Sequence, residues 1–340
     1  MGDFLEVMAL IESLPLLVAP IASLIASAGI IVVLLDGKWK LPLDEPNDRS
    51  LHKRPIPRIG GVAVTAGVVV GWMMTYSRVS PWLLTATLLL ALISLADDIR
   101  ELPVLFRLFA HFLAAVTAVL FYAGAQEQGT LQSILLVVAL VWMTNLYNFM
   151  DGADGLAGGM TLLGFSCYGL AALAEGDASM AAMAFSVAAA ATGFLAFNFP
   201  PAKVFLGDCG SIPLGFLAGV LGYLGWQSSL WPAWFPLLVF SPFIVDATVT
   251  LIARMVRGEQ FWKPHREHCY QRLVRMGWGH RRTAVFYYAL MAGSGLLALM
   301  ARMAPPVWQI ATLVTAMFIY VSIGVLCVIR WRSHWRASGE

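Results

Sequence analysis

Five aspartates lie at the ends of long apolar runs of the sequence. They are Asp97, Asp98, Asp151, Asp154 and Asp208. Lys203 is the only Lys or Arg in segments 145–158 and 198–211. A single carboxylate at such a boundary is explained equally well by solvation, but clustered carboxylates raise each other's pKa unless a cation lies among them. Because hard divalent cations take oxygen ligands, we expect a site for Mg²⁺, with Mn²⁺ as its substitute.

Two amides and two of these aspartates follow one another at a spacing of three. They are Asn145, Asn148, Asp151 and Asp154. Residues three apart on a helix are neighbours on one face. The spacing therefore predicts a polar stripe that faces a polar ligand and not lipid.

The polar segment 254–283 contains the run His265, Arg266, Glu267 and His268. Arg presents a planar fork that grips phosphate, and His donates a hydrogen bond or moves a proton. This run therefore suits an anionic substrate. A basic, solvated loop is the alternative interpretation, and without the aspartates we would prefer it.

Composition and hydropathy predict the elements that carry these residues. Of the 340 residues, 59% are hydrophobic and 12% are charged, and the mean hydropathy is +0.75. Soluble domains carry roughly 25% charged residues. The chain is therefore predicted to be an all-α, polytopic integral membrane protein that forms one domain over 1–340. Its net charge of +2 argues against bulk electrostatic binding of nucleic acid.

About eleven apolar runs approach the ~20 residues that a membrane helix needs. They are 13–35, 61–77, 81–96, 105–124, 131–147, 159–174, 179–197, 212–226, 232–253, 284–301 and 307–329. The apolar runs are joined by polar connections. All Lys and Arg except Arg78 and Arg302 lie in or beside every second connection, counted from 36–60, or in the C-terminal tail. The positive-inside rule then places the N-terminus outside and the C-terminus in the cytoplasm. The predicted cytoplasmic loops are 36–60, 97–105, 148–158, 198–211 and 254–283.

Five ordered blocks resemble the polyprenyl-phosphate N-acetylhexosamine-1-phosphate transferases, the glycosyltransferase family 4 that includes WecA and MraY. The blocks are 52–61, 97–98, 145–155, 198–211 and 265–268. The resemblance implies transfer of a sugar 1-phosphate from a UDP-sugar to undecaprenyl phosphate, with release of UMP. It places this reaction at the cytoplasmic face of the bacterial inner membrane. The sequence is also compatible with a homodimer.

The resemblance implies roles for individual residues. Asp208 would be the principal Mg²⁺ ligand, with Asp151 beside it, and Phe205 would stack on the uracil. The family's lysine of the first loop matches Lys53 or Arg54. Other substrate-binding residues would be Asn145, Asn148, Asp151, Asp154 and Asn198. The catalytic group around the phosphates would be Asp97, Asp98, His265, Arg266 and His268.

The last block departs from the peptidoglycan branch of the family. That branch carries three consecutive histidines, whereas Arg266 and Glu267 interrupt such a run here. This departure argues against a muramoyl-pentapeptide substrate and favours the branch that starts O-antigen or related surface glycans. The sugar would then be N-acetylglucosamine or a 6-deoxy relative such as N-acetylfucosamine.

Asp97 and Asp98 are expected to differ in role, because adjacent residues on a helix point about 100° apart. The acceptor phosphate, with a second pKa of about 6, is already anionic near neutral pH. We therefore expect its direct attack on the sugar-bearing phosphorus, with Asp97 or Asp98 as the base. The alternative is an acyl-phosphate intermediate on one of these carboxylates.

Two other protein classes share some of these features. A secondary transporter or channel would use Asp246, which lies ~12 Å into the membrane at 1.5 Å per residue, but the other acids all lie at one face. A CDP-alcohol phosphatidyltransferase would share the Asp-x-x-Asp-Gly pattern of 151–155. It requires Ala-Arg where Gly158 and Gly159 stand here.

Overall fold

The computed structural model describes residues 2–39, 41–46, 51, 54–75, 79–121, 129–260 and 265–338, with side chains described only between 14 and 334. Most of these residues are helical. The helices are α1 (Gly2–Leu35), α2 (Gly60–Met73), α3 (Pro81–Arg100), α4 (Val104–Leu120), α5 (Thr130–Phe149), α6 (Leu156–Ala174), α7 (Ala178–Asn198), α8 (Asp208–Gln227), α9 (Trp234–Val239), α10 (Ser241–Val256), α11 (Cys269–Leu273), α12 (Gly279–Ala301) and α13 (Pro306–Ser338). A π-helical turn, Val274–Trp278, joins α11 to α12. Strands β1 (Leu43–Asp44) and β2 (Ile56–Pro57) pair antiparallel in the first polar segment.

Eight helical segments among the described residues are long and apolar enough to cross a membrane. They are α1, α3, α5, α6, α7, α8, the unit from α11 to α12, and α13. The chain is therefore a polytopic integral membrane protein, and its described elements are all-α apart from the paired strands β1 and β2. Where the structure describes them, the predicted apolar runs lie mainly on helix, and run 232–253 is divided between α9 and α10. Pro242 stands in the first turn of α10, where its missing N–H costs no helical hydrogen bond.

The centre of the bundle packs through small side chains. α7 lies against α1 and α6, and several of its alanines, among them Ala181, Ala184 and Ala190, are fully buried. Small side chains let helix backbones approach closely in lipid, where the hydrophobic effect does not drive association. Leu17 on α1 and Val307 on α13 are exposed, as expected for lipid-facing surfaces. The core thus lies around α6, α7 and α8, and the ends of these helices carry the predicted site residues.

Backbone hydrogen bonds fix the first polar segment against the start of α8. The Phe205 N–H donates to the Pro57 carbonyl at 2.8 Å, and the Gly61 N–H donates to the Leu206 carbonyl at 2.7 Å. Gly61 lies so close to α8 that an added Cβ would be 2.2 Å from the Gly210 nitrogen. Only glycine permits this approach of α2 to α8, which aligns the first polar segment with the residues before Asp208.

Gly61→Ala is expected to destabilise the protein by about 1–3 kcal/mol, the usual effect of overpacking, because α8 must shift. Gly29→Ala on α1 is the matched control, since nothing lies within 4 Å of its added Cβ. Thermal unfolding in detergent compares the two variants with the parent protein. Equal unfolding midpoints for the two variants would contradict the close approach of α2 and α8.

Candidate active site

Residues from several separated polar segments meet at a cavity of about 270 Å³. Six residues predicted from the sequence line it: Asn148, Asp151, Asp154, Asn198, Phe205 and Asp208. Arg58 of the first polar segment and Gln271 and His280 of the last one also line it. Lys53, predicted as a substrate-binding residue, lies outside the described residues.

A larger cavity, of about 380 Å³, lies near the other end of α8. Glu175 and Arg302 line it and form an ion pair at 2.5 Å. Because these two charges compensate each other, this cavity suits a charged ligand less well than the cavity beside Asp208.

Asp98 fixes the start of α8. Its Oδ1 accepts the Asp208 N–H at 3.2 Å, and its Oδ2 accepts the Cys209 N–H at 3.0 Å. The first N–H groups of a helix have no intrahelical partner, and a carboxylate there also favours the helix dipole. Gly207 turns the chain into α8 with φ of 72°. Asp98 thereby fixes the backbone at Asp208, the first residue of α8.

Asp97 contacts different groups from its neighbour. Its Oδ2 pairs with the Arg107 guanidinium at 2.6 Å, and its Oδ1 accepts the Leu102 N–H at 2.6 Å. The same Arg107 nitrogen lies 3.5 Å from Asp208 Oδ2. Arg107 therefore places one positive charge between two carboxylates. Neither Asp97 nor Asp98 lines the cavity itself.

The predicted polar stripe is wrong beyond the end of α5. The helix stops at Phe149, so Asp151 lies in the following loop and not on a helix face with Asn145. Asn148 hydrogen-bonds Asp208, whereas Asn145 bonds the Val141 carbonyl of its own helix and does not line the cavity. The amide of Asn148 thus joins α5 to α8 at the cavity.

The surroundings of Asp151 disfavour the ionised form of its carboxyl group. Burial, followed by the nearby carboxylates of Asp208 and Asp98, raises the pKa of Asp151 well above its usual range, and Arg58 opposes this only in part. Arg58 is also paired with Asp44, at 2.7 Å. A further cation among these carboxylates would stabilise the ionised site.

Asp154 is held by an ion pair. Burial alone would raise its pKa, but hydrogen bonding and the charge of His280, at 3.0 Å, lower the pKa of Asp154 below its usual value. The other ring nitrogen of His280 lies 3.2 Å from the Leu51 carbonyl. His280 therefore bridges the first polar segment and the loop after α5. Sequence reasoning missed His280, which stands in the basic run 280–282 with no motif around it.

Asn198 joins two loops through its amide. Its Oδ1 accepts the Gly155 N–H at 2.8 Å, and its Nδ2 donates to the Val204 carbonyl at 2.8 Å. The side chain is buried. Asn198 lines the cavity, but its contacts here fix the loops that carry Asp154 and Phe205.

Phe205 and Arg58 share one stretch of cavity wall. The two residues form a parallel β-bridge, and the Phe205 ring is half-buried beside the cavity. A flat ring and a guanidinium side by side suit a ligand with an aromatic base and an anionic group. The resemblance predicted a role for Phe205 in block 198–211. Arg58 lies in block 52–61, and no role was predicted for it.

The predicted catalytic residues of the last segment lie beside the cavity lining and not in it. His268 is buried and caps α11, and its ring stacks on Phe149 with centroids 6.4 Å apart. The His265 ring lies 4.8 Å from that of His268, and burial, followed by the charge of His268, lowers the pKa of His265 to about 4. Arg266 is half-buried. The segment reaches the cavity through Gln271 and His280.

The donor set of the cavity fits a hard divalent cation. Within the described ranges, no three His, Cys, Asp or Glu side chains converge as a complete ligand group. Mg²⁺ does not need such a group, since it usually binds one or two carboxylates and keeps waters and substrate phosphates as its other ligands. Asp208 and Asp151 offer carboxylate oxygens to one cavity, where burial and the neighbouring carboxylates raise the pKa of Asp151.

Known proteins resemble this chain over most of its length. The family model for glycosyl transferase family 4 matches residues 80–225. A phospho-N-acetylmuramoyl-pentapeptide-transferase of Moorella thermoacetica is 30% identical over 325 residues, which cover 85% of this chain and 99% of the relative. A probable undecaprenyl-phosphate N-acetylglucosaminyl 1-phosphate transferase of Bacillus subtilis is 28% identical over 83% of each chain. An undecaprenyl-phosphate alpha-N-acetylglucosaminyl 1-phosphate transferase of Escherichia coli is 27% identical over 82% of each chain.

Asn198→Ala is expected to lower the unfolding midpoint, because it leaves the Gly155 N–H and the Val204 carbonyl without their partner. Each buried unsatisfied group costs about 1–3 kcal/mol. Thr192→Ala on the same helix is the control, since its hydroxyl bonds the Ala188 carbonyl within the α7 ladder. Thermal unfolding of both variants in detergent is the measurement. The bridging role fails if Asn198→Ala unfolds at the same temperature as Thr192→Ala.

Proposed function

Because this chain belongs to glycosyl transferase family 4, we propose that it transfers an N-acetylhexosamine 1-phosphate from a UDP-sugar to undecaprenyl phosphate and releases UMP. The observation that carries the proposal is the cavity in which Asp151, Asp208, Arg58 and Phe205 meet at the ends of membrane helices. Carboxylates for a cation, a guanidinium for phosphate and a ring for a base are the groups that a nucleotide sugar needs. The names of the relatives support the same class of reaction.

Different cavity residues bind different parts of the UDP-sugar donor. Phe205 stacks on the uracil, and Asn148 and Asp154 complete the nucleotide pocket. Arg58 binds the diphosphate from the side of the first polar segment. Asp208 and Asp151 hold Mg²⁺, or Mn²⁺ in its place. When bound, this cation neutralises the diphosphate and stabilises the charge that develops as the phosphoryl group is transferred.

The transfer proceeds by direct attack of the acceptor phosphate. One of its oxygens forms a bond to the sugar-bearing phosphorus, and the bond from that phosphorus to the bridging oxygen breaks, with the electron pair leaving on UMP. The acceptor is already anionic near neutral pH, since phosphate monoesters have a second pKa of about 6. A strong base is therefore unnecessary.

The contacts of Asp97 and Asp98 favour positioning roles over the base role expected from the sequence. Each oxygen of both carboxylates already accepts a hydrogen bond or ion pair from within the protein. Asp98 keeps Asp208 at the start of α8. Asp97 directs Arg107 towards Asp208, where its charge balances the incoming phosphate.

The protein acts in the bacterial inner membrane with its cavity on the cytoplasmic side. The distribution of Lys and Arg supports this orientation, with eleven crossings, the N-terminus outside and the C-terminus inside. Helix α2, with 14 residues, helix α4, with 17, and the pair α9 and α10 make the short crossings of this arrangement. The acceptor's phosphate then lies at the depth of the carboxylates.

The sugar is N-acetylglucosamine or a 6-deoxy relative such as N-acetylfucosamine, and the product initiates O-antigen or another surface glycan. Glu267, which interrupts the histidine run, pairs with Arg257 at 2.5 Å and also with Arg254. A run of three histidines would have no carboxylate at this position to form these ion pairs. This supports a substrate other than the muramoyl pentapeptide.

The test of this function is a panel assay with the purified protein, undecaprenyl phosphate and Mg²⁺. UDP-N-acetylglucosamine, UDP-N-acetylfucosamine and UDP-N-acetylmuramoyl-pentapeptide are supplied in turn, and UMP and the lipid product are quantified. We expect equal amounts of UMP and lipid diphosphate sugar with a UDP-N-acetylhexosamine, and only when the lipid is present. Turnover of the muramoyl pentapeptide alone would overturn the choice of branch, and no UMP from any donor would overturn the function.

Asp208→Asn is expected to abolish turnover and cation binding together. In the parent protein, MgCl₂ should raise the unfolding midpoint above that in choline chloride of equal ionic strength, and excess EDTA should stop turnover. Asp177→Asn is the control, because Asp177 caps α7 at a site away from the cavity. An Asp208→Asn protein with the parent's Mg²⁺ shift and activity would remove this carboxylate from the cation site.

Phe205→Ala is expected to raise the KM for the UDP-sugar about fivefold or more, because a stacked ring contributes ~1–3 kcal/mol. Phe199→Ala is the matched control in the same loop, with a ring outside the cavity lining. Steady-state kinetics at saturating lipid acceptor separates KM from kcat. An unchanged KM for Phe205→Ala would count against stacking on the uracil.

A further inference from the structure

Asp246 is a buried carboxylate that the proposed reaction does not use. It lies on α10, is 8% exposed and does not line the cavity. Burying a charge is costly unless hydrogen bonds compensate it. The groups that compensate Asp246 come from the start of α11 and from α12, and the His268 ring lies 3.6 Å from the same carboxylate. These contacts indicate what Asp246 holds in place.

Both oxygens of Asp246 accept hydrogen bonds from the start of α11. The Cys269 N–H donates to Oδ1 at 2.7 Å, and the Tyr270 N–H donates to Oδ2 at 3.1 Å. These N–H groups open a helix and have no intrahelical acceptor. The Tyr287 hydroxyl of α12 donates to Oδ2 at 2.5 Å. One carboxylate therefore joins α10, α11 and α12.

The start of α11 is in turn attached to the cavity. Gln271 lines the cavity, and the Tyr270 hydroxyl donates to the Phe149 carbonyl at 3.0 Å. Gly152, in the loop that carries Asp151, lies so close that an added Cβ would be 2.1 Å from that hydroxyl. A displacement of α11 would therefore displace both Gln271 and the loop of Asp151.

We propose that Asp246 is a positioning residue that fixes the start of α11, and with it Gln271 and the segment 265–268, beside the bound nucleotide sugar. Asp98 makes the same type of contact at the start of α8. The two carboxylates thus hold the starts of two helices, α8 and α11, that each contribute a residue to the cavity lining. The effect on turnover rests on the proposed function, whereas the fixing of α11 does not.

The variant Asp246→Asn tests the contact itself. Its amide keeps one acceptor but turns the other into an NH₂ donor that faces a backbone N–H. Hydrogen–deuterium exchange of the full-length protein in detergent should then show the Cys269 and Tyr270 amides exchanging about tenfold faster or more. Asp177→Asn, which changes another helix-capping carboxylate, should leave these amides unchanged. Unchanged exchange in a folded Asp246→Asn protein would overturn the proposal.

If Asp246→Asn does not fold, Tyr287→Phe tests whether the Asp246 carboxylate fixes the start of α11. It removes only one donor to the same carboxylate, and a smaller increase in exchange at the same two amides is expected. Parent-like exchange in Tyr287→Phe would then overturn the proposal.

Kinetics of the same variants separates positioning from mere stability. At a temperature where each variant stays folded, Asp246→Asn should lower kcat/KM for the UDP-sugar about ten- to a hundredfold, as expected for displaced cavity groups. Asp177→Asn should keep the parent value. Faster exchange with unchanged kcat/KM would overturn the link to the cavity. A parent protein without turnover would instead refute the proposed function and leave the exchange result as the test of Asp246.

Discussion

The hydrogen bonds from the first N–H groups of α8 to Asp98 are the interaction on which the site depends. They place Asp208 at the start of a buried helix, within the electrostatic reach of Asp98 and Asp151. The same contact therefore builds the site and concentrates negative charge in it. Arg107 and Arg58 balance this charge only in part, so the cation and the anionic ligand that we propose would stabilise the arrangement. Phosphoryl transfer, the reaction we propose, relies on positioning and charge neutralisation, and these contacts provide the positioning.

The polar segments satisfy many of their hydrogen-bonding groups through contacts with one another. The backbone of the first polar segment pairs with Phe205 and Leu206, and Asn198 and His280 join the loops around Asp154. Buried backbone groups must be paired, and here the pairing also sets the position of the site residues. Small side chains in α7 and the contact of Gly61 with α8 let the helix ends approach closely enough for these bonds. The positions of the loops therefore depend on the close packing of the helices.

Much of this architecture could be predicted because lipid imposes simple rules on sequence. The apolar runs lie on helices, and Asp208, Phe205 and Asp151 stand in recognisable blocks at the ends of those runs. The helical stripe failed beyond Phe149, because the chain turns there into a glycine-containing loop in which Gly155 has φ of 78°. His280 was missed because its partners, Asp154 and the Leu51 carbonyl, lie far away in the sequence. Spacing along one helix predicts neighbours, but contacts between distant segments depend on the packed fold.

The most direct test of the central claim is to locate the cation and the nucleotide in the protein. The structure of the protein with UDP and Mn²⁺ should be determined, with anomalous scattering used to find the metal. The account predicts a manganese peak at about 2.0–2.2 Å from a carboxylate oxygen of Asp208, close to the distances of hard divalent cations. Uracil density should lie against the Phe205 ring. Manganese bound away from Asp208, or uracil in the cavity of Glu175 and Arg302, would contradict the account.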